Sequence, residues 1–179
     1  KKYFPNDKDE QIFPTPNIFC HFALGLDDGG VYGDTTFENL TELLDEALKE
    51  HNENFAVMDL VLFEDAMRHI CRISRVLKQP FGNGLLLGVG GSGRQSLTRI
   101  SAFMAEYFIF SIEISKTYGV AEWREDLKNL LRLGGAQGEP TCFLFNDTQI
   151  VLESFLEETR QAEHVVREFL DGVLRRAQV

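Results

Sequence analysis

Four glycines crowd into six positions, Gly88, Gly90, Gly91 and Gly93, and Arg94, Gln95 and Ser96 follow directly. Glycine serves where the backbone takes positive φ or must approach a ligand closely. The apolar run Leu85-Leu86-Leu87 leads into this turn, and a helical pattern opens behind it. Such a turn aims several amide N–H groups one way, at the positive end of the helix dipole. The chemistry it can perform is phosphate binding, through Gly88, Val89, Gly90, Gly91, Ser92, Gly93, Arg94, Gln95 and Ser96. Packing alone rarely demands four glycines so close together, because each loses backbone entropy on folding.

Two motifs share these residues. Gly88, Gly90 and Gly93 satisfy GxGxxG, and Glu113 follows at the end of the next strand pattern. A dinucleotide fold places its ribose-binding acid at about that distance, ~20 residues on. Gly88 and Gly93 also have the P-loop spacing GxxxxGK[ST], with Arg94 in the place of Lys and Gln95 in the place of the hydroxyl. Arg keeps the charge but is a planar fork, so attraction to phosphate survives and the geometry changes. An amide oxygen is a poorer Mg²⁺ ligand than a hydroxyl, and Ser96 lies one step further round the helix.

A P-loop NTPase also needs a carboxylate at the end of a neighbouring buried strand. Cys142-Phe143-Leu144-Phe145-Asn146-Asp147 has that shape. Either Asn146 replaces the metal-holding Asp and Asp147 the water-activating Glu, or Asp147 holds the metal and Thr148 replaces the base. Both registers predict feeble hydrolysis. Asp147 is the candidate catalytic carboxylate, and Gln95, Ser96 and Asp147 are the candidates for Mg²⁺. Each has a plainer reading too. Asp147 suits a turn, Glu113 a strand-end surface acid, Trp123 a core position and His69 a solvated pair with Asp65.

The elements that must position these residues follow from periodicity. Residues 1–34, with Pro5, Pro14, Pro16 and Asp27-Asp28-Gly29-Gly30, read as an irregular lead-in. Thr35 and Glu38 form a capping-box pattern before a helix ending near Asn52. A second helix is expected from Leu60 to Lys78, with Glu64 and Arg68 paired on its polar face. Leu85 to Gly88 reads as a buried strand, Phe108 to Ile114 as a second and Thr141 to Phe145 as a third. Helices follow each, one behind the glycine turn, one from Val120 to Leu133 stopped by Gly134-Gly135, and one from Glu153 to about Arg176. Strand–helix alternation predicts an α/β fold with a parallel sheet and a helical N-terminal annex.

Composition excludes some partners. A net charge of −10 opposes binding to nucleic acid or to an anionic membrane surface. Cys20, Cys71 and Cys142 lack metal-ligand spacing and read as reduced thiols. With Lys at position 1, the chain reads as a piece of a longer one.

Several stretches together carry a resemblance. They are Asp59-Leu60-Val61-Leu62-Phe63-Glu64-Asp65-Ala66, then Gly84 through Arg99, then Glu113-Ile114-Ser115-Lys116. Glu122-Trp123-Arg124-Glu125-Asp126-Leu127-Lys128 and Phe143-Leu144-Phe145-Asn146-Asp147-Thr148-Gln149-Ile150 complete the set. Over residues 55–157 the chain resembles the fourth AAA+ module of an axonemal dynein heavy chain. Residues 1–54 then read as the end of the preceding segment, and residues 158–179 as a C-terminal helix outside the pattern. The resemblance implies ATP or ADP rather than NAD, with Mg²⁺ as companion and Leu60, Val61, Leu62 and Phe63 bordering the adenine. It implies a regulatory module of a microtubule motor with weak or no hydrolysis. Neighbouring AAA+ modules, other dynein subunits and, through other parts of the motor, the microtubule would be its partners. The implied location is the cytoplasm and cytoskeleton, in the axoneme of a cilium or flagellum. In such sheets a strand from beyond residue 157 sits between the two motif strands, so the sheet is expected to be incomplete. The competing readings are a degenerate ring spacer and a free-standing P-loop NTPase.

Overall fold

The computed structural model describes residues 17–26 and 31–164. The prolines of the lead-in, the Asp27–Gly30 turn and the last part of the C-terminal helix lie outside the described residues. The chain divides into two compact units, Lys1–Ala105 and Glu106–Val179.

In the first unit, part of the expected irregular lead-in pairs instead. β1 (Phe19–Cys20) and β2 (Gly33–Asp34) run antiparallel, with Phe19 opposite Asp34 and Cys20 opposite Gly33. Helix α1 (Phe37–Asn54) is capped by Thr36, not Thr35, because Thr36 Oγ1 accepts the Asn39 backbone N–H at 3.3 Å. Thr35 Oγ1 accepts instead from the Asn39 side chain at 2.8 Å. α1 buries Leu40, Leu44, Ala47 and His51 on one face.

Helix α2 (Glu64–Lys78) starts later than the expected Leu60. Over residues 60–63 the burial alternates. Leu60 and Leu62 pack on the core, while Val61 and Phe63 face outward, 73% and 59% exposed. Arg68, expected to pair with Glu64, lies over the Phe37 ring at 4.8 Å. The helix buries Ala66, Met67, Ile70, Cys71 and Ser74. Helix α3 (Arg94–Met104) packs on α2 and α1, burying Leu97 and Ile100. Cys20, Leu40, Leu44, Ile70 and Ile100 form the dry centre of this unit. Burial of each Leu or Ile stabilises by roughly 1.5–3 kcal/mol.

The expected strand Leu85–Gly88 is absent. Leu85, Leu87 and Val89 are 83%, 81% and 80% exposed, and the stretch belongs to neither described sheet. A strand exists only where a neighbour takes its N–H and C=O groups, and no described segment does so here.

In the second unit, β3 (Phe108–Phe110) and β4 (Thr141–Phe143) pair in parallel, Ile109 opposite Cys142. Both are shorter than expected. Helix α4 (Val120–Leu131) joins them. The expected stop at Gly134-Gly135 is overturned, since the chain continues as a π-helical turn, Arg132–Ala136. It reverses at Gly138, whose φ of 72° is the left-handed value a helix exit uses. Trp123 is core, as its spacing predicts. It stacks on Phe155 with ring centroids 4.5 Å apart and planes 8° from parallel, and Phe143, Phe145 and Leu127 close around it. Phe155 comes from a helix over 154–164. The result is a mixed α/β chain with a small parallel sheet. Among the described residues no helix is long and apolar enough to cross a membrane.

Candidate phosphate loop

The glycine turn lies in the first unit and opens α3 directly. Gly91 and Gly93 take φ of 77° and 73°, the left-handed region that other residues enter only at a cost. Gly93 is the N-cap, and no side chain caps this helix end. The first i→i−4 bond runs from the Leu97 N–H to the Gly93 carbonyl at 2.8 Å. The N–H groups of Arg94, Gln95 and Ser96 therefore precede the intrahelical ladder and have no carbonyl one turn back. Three donors at the positive end of a helix, reached through an exposed loop, suit a phosphate.

Arg94 shows what the sequence did not. Its guanidinium folds back over the loop, Nη1 donating to the Leu86 carbonyl at 3.3 Å and Nη2 to the Val89 carbonyl at 3.2 Å. Ser92 N–H closes the turn onto Val89 at 3.3 Å. The positive charge stays at the loop, but two of its donors are engaged within it. Gln95 is exposed and Ser96 half-buried. Of the segment expected to border an adenine, Val61 and Phe63 are open to a ligand, whereas Leu60 and Leu62 are spent on the core.

Asn146 and Asp147 belong to the second unit. The chain leaving β4 forms a 3-10 turn, Asp147–Gln149, with Asn146 as its cap. Asp147 is exposed, and its Oδ1 accepts the Thr148 N–H at 2.9 Å, the bond of a turn residue. Gln149, which sequence reasoning passed over, is buried and holds the turn in place. Its Nε2 donates to the Ile112 carbonyl at 2.6 Å and to Ser111 Oγ at 3.2 Å, and its Oε1 accepts the Asn146 N–H at 2.7 Å. The available signal was its position three residues after a capping Asn.

Glu113 is exposed and lines an open cleft of about 650 Å³ with Glu122, Glu125 and Asp126. Tyr118 donates its hydroxyl to Asp126, and burial first, then that bond, pushes the phenol above its ordinary range. Four carboxylates on one cleft repel a dinucleotide's phosphates, which counts against the ribose role of Glu113. Among the described residues no three His, Cys, Asp or Glu side chains converge to hold a metal.

A glycine turn opening a helix, with a parallel strand pair and flanking helices elsewhere in the chain, defines an α/β protein of the P-loop type. The model of the P-loop containing dynein motor region D4 matches residues 58–162, and the chain belongs to that family. The match runs into the helix over 154–164. The chain is 52% identical over 145 residues to rat dynein axonemal heavy chain 1, covering 80% of this chain and 3% of that protein. It is 46% identical over 156 residues to human dynein axonemal heavy chain 17, and 47% identical over 160 residues to the dynein alpha chain of the flagellar outer arm of Chlamydomonas reinhardtii. Each of these covers 87% of this chain and 4% of the relative. The chain thus spans only a few per cent of the length of the relatives it matches.

Proposed function

We propose that this chain is the fourth AAA+ module of an axonemal dynein motor ring, and that it holds ATP or ADP without efficient hydrolysis. The observation that carries the reading is the uncapped start of α3 behind two left-handed glycines. The amides of Arg94, Gln95 and Ser96 would take the β-phosphate, and the exposed faces of Val61 and Phe63 would meet the base. Mg²⁺, when bound, neutralises phosphate charge. Gln95 and Ser96, at the start of α3, are the first unit's candidates to hold it, and Asp147 is the second unit's.

Weak hydrolysis follows from the side chains. Arg94 is turned onto its own loop, and Asp147 is engaged in a turn. Residues 55–157 form the module's core in this reading, with 1–54 leading in from the preceding segment and 158–179 trailing it. Leu85–Gly88 gains its sheet partner from a strand of the parent chain. Neighbouring AAA+ modules are the direct partners, the microtubule is reached through other parts of the motor, and the axoneme is the place of work. Bound nucleotide would bias the ring by binding one arrangement of neighbours better than another.

One observation favours a second reading. The inward fold of Arg94 suits a degenerate module serving as a ring spacer. Titration with fluorescent ADP and ATP, with and without Mg²⁺, separates the two. The expected result is saturable binding, weakened at least ~10-fold by Gly93→Val, since a β-branched residue strains at this φ. No saturable signal from the unaltered chain would leave the spacer. Ready turnover would instead point to a working NTPase.

A further inference from the structure

Two asparagines near the end of α1 behave differently. Asn54 bonds back to its own helix, its Nδ2 donating to the Glu50 carbonyl at 3.0 Å, an ordinary use of a polar side chain in a last turn. Asn52 reaches forward instead, past the five exposed residues 53–57, to Met58. Its Oδ1 accepts the Met58 N–H at 2.8 Å and its Nδ2 donates to the Met58 carbonyl at 3.2 Å. One carboxamide thus gives Met58 the acceptor and the donor that a neighbouring strand would give it. The helix end that carries Asn52 is anchored by the His51 ring, which packs with Phe55 and Phe103 at centroid distances of 5.2 and 5.4 Å. Met58 begins the segment that presents Val61 and Phe63. The other end of that segment is fixed by α2, where the Phe63 carbonyl accepts the Met67 N–H at 3.0 Å. Among the described residues no backbone-to-backbone bond reaches residues 59–62. Which side chains turn outward there depends on the two ends and on the packing of Met58, Leu60 and Leu62 against the core.

We propose that Asn52 is a positioning residue for the base of the nucleotide: by clamping Met58 it keeps Val61 and Phe63 turned outward before the ligand arrives. The inference rests on the nucleotide reading above and deepens it. Burial alternates over residues 58–63, so the placement of Met58 sets which side chains lie inward. A slip of one position would exchange the two faces, turning Val61 and Phe63 toward the core and Leu60 and Leu62 toward the ligand. A site already arranged binds more tightly, because less ordering is left to be done on binding. In the nucleotide reading the phosphates are taken by the amides that open α3, and among the described residues no hydrogen bond joins Asn52 to those amides. Losing the Asn52 side chain therefore costs affinity for the base and leaves affinity for the phosphates.

The test titrates the intact chain by calorimetry with ADP and, separately, with inorganic pyrophosphate, which has phosphates and no base. Asn52→Ala should weaken ADP about 10-fold, since two unpinned side chains must then be ordered on binding, and leave pyrophosphate within about 2-fold of the unaltered chain. Asn52→Asp keeps an acceptor for the Met58 N–H but sets a carboxylate against the Met58 carbonyl, and it should show the same split. Where the alanine variant fails to fold, the Asp variant carries the test. Asn54→Ala, at the same helix end, should change neither titration, and Gly93→Val should weaken both ligands together. Parallel loss of ADP and pyrophosphate in the Asn52 variants, with a lowered thermal midpoint, would mean that Asn52 serves the fold alone. Unchanged ADP affinity would mean that it does not act on the base. Either result overturns the proposal. An unaltered chain that binds neither ligand is a different failure: the nucleotide reading falls first, and the inference with it.

Discussion

Gln149 carries more consequence than its exposed neighbour Asp147. One buried amide serves the carbonyl of Ile112, the hydroxyl of Ser111 and the N–H of Asn146. Removing it leaves the Ile112 carbonyl buried and unserved and two half-buried partners unmet, and an unmet buried polar group costs about 1–3 kcal/mol. Gln149→Ala should lower the urea midpoint accordingly, while Asp147→Ala, on an exposed side chain, should change it little. His21 gives a pH signature. Its Nδ1 is buried without a partner, and burial first, then the charges of Lys78 and Arg75, hold its pKa below the ordinary 6.5. The folded state therefore binds fewer protons than the unfolded one. The neutral ring's contribution is complete above pH 6.5 and is lost as pH falls from there through the folded value. His21→Phe keeps a ring against Tyr32, now 5.0 Å from His21, and should flatten the fall in stability between about pH 7 and pH 5. Parallel slopes for the two proteins would remove His21 as the cause.

Helices were legible in the sequence because their signal is local. The apolar stripes of α1 and α2 and the glycine turn before α3 can each be read within a dozen or so residues. Strands are legible only with their partners. Leu85–Gly88 has the right composition and no described neighbour, so the same residues stand exposed. The π-helical turn escaped for a related reason, since Gly134-Gly135 marks weakness in a helix without saying whether the chain stops or loosens. The glycines of the candidate site were legible and the side-chain choices were not, because Arg94 turns toward carbonyls that only the folded loop supplies. The second unit rests on one packing event, the stack of Phe155 on Trp123. Phe155→Ala should cost about 3–5 kcal/mol and shift the fluorescence of the single tryptophan to the red. Unchanged emission would mean the helix over 154–164 is not what covers the indole.

Taken as one body in solution, the chain carries two opposing tendencies. Leu85, Leu87 and Val89 expose apolar side chains on a segment that belongs to neither described sheet, which invites pairing with another copy. The net charge of −10 keeps copies apart. Repulsion of that kind reaches about 30 Å at 0.01 M salt but only about 3 Å at 1 M, whereas burial of apolar surface is not screened. The isolated chain should therefore sediment as a monomer at low salt and associate as salt rises. Leu87→Lys puts a charge on the exposed run without touching the core, and it should hold the monomer at high salt. Sedimentation velocity across a salt series reads the outcome directly. A monomer at every salt concentration in the unaltered chain would mean that the run is already satisfied, and that the missing sheet partner assigned to the parent chain is not needed.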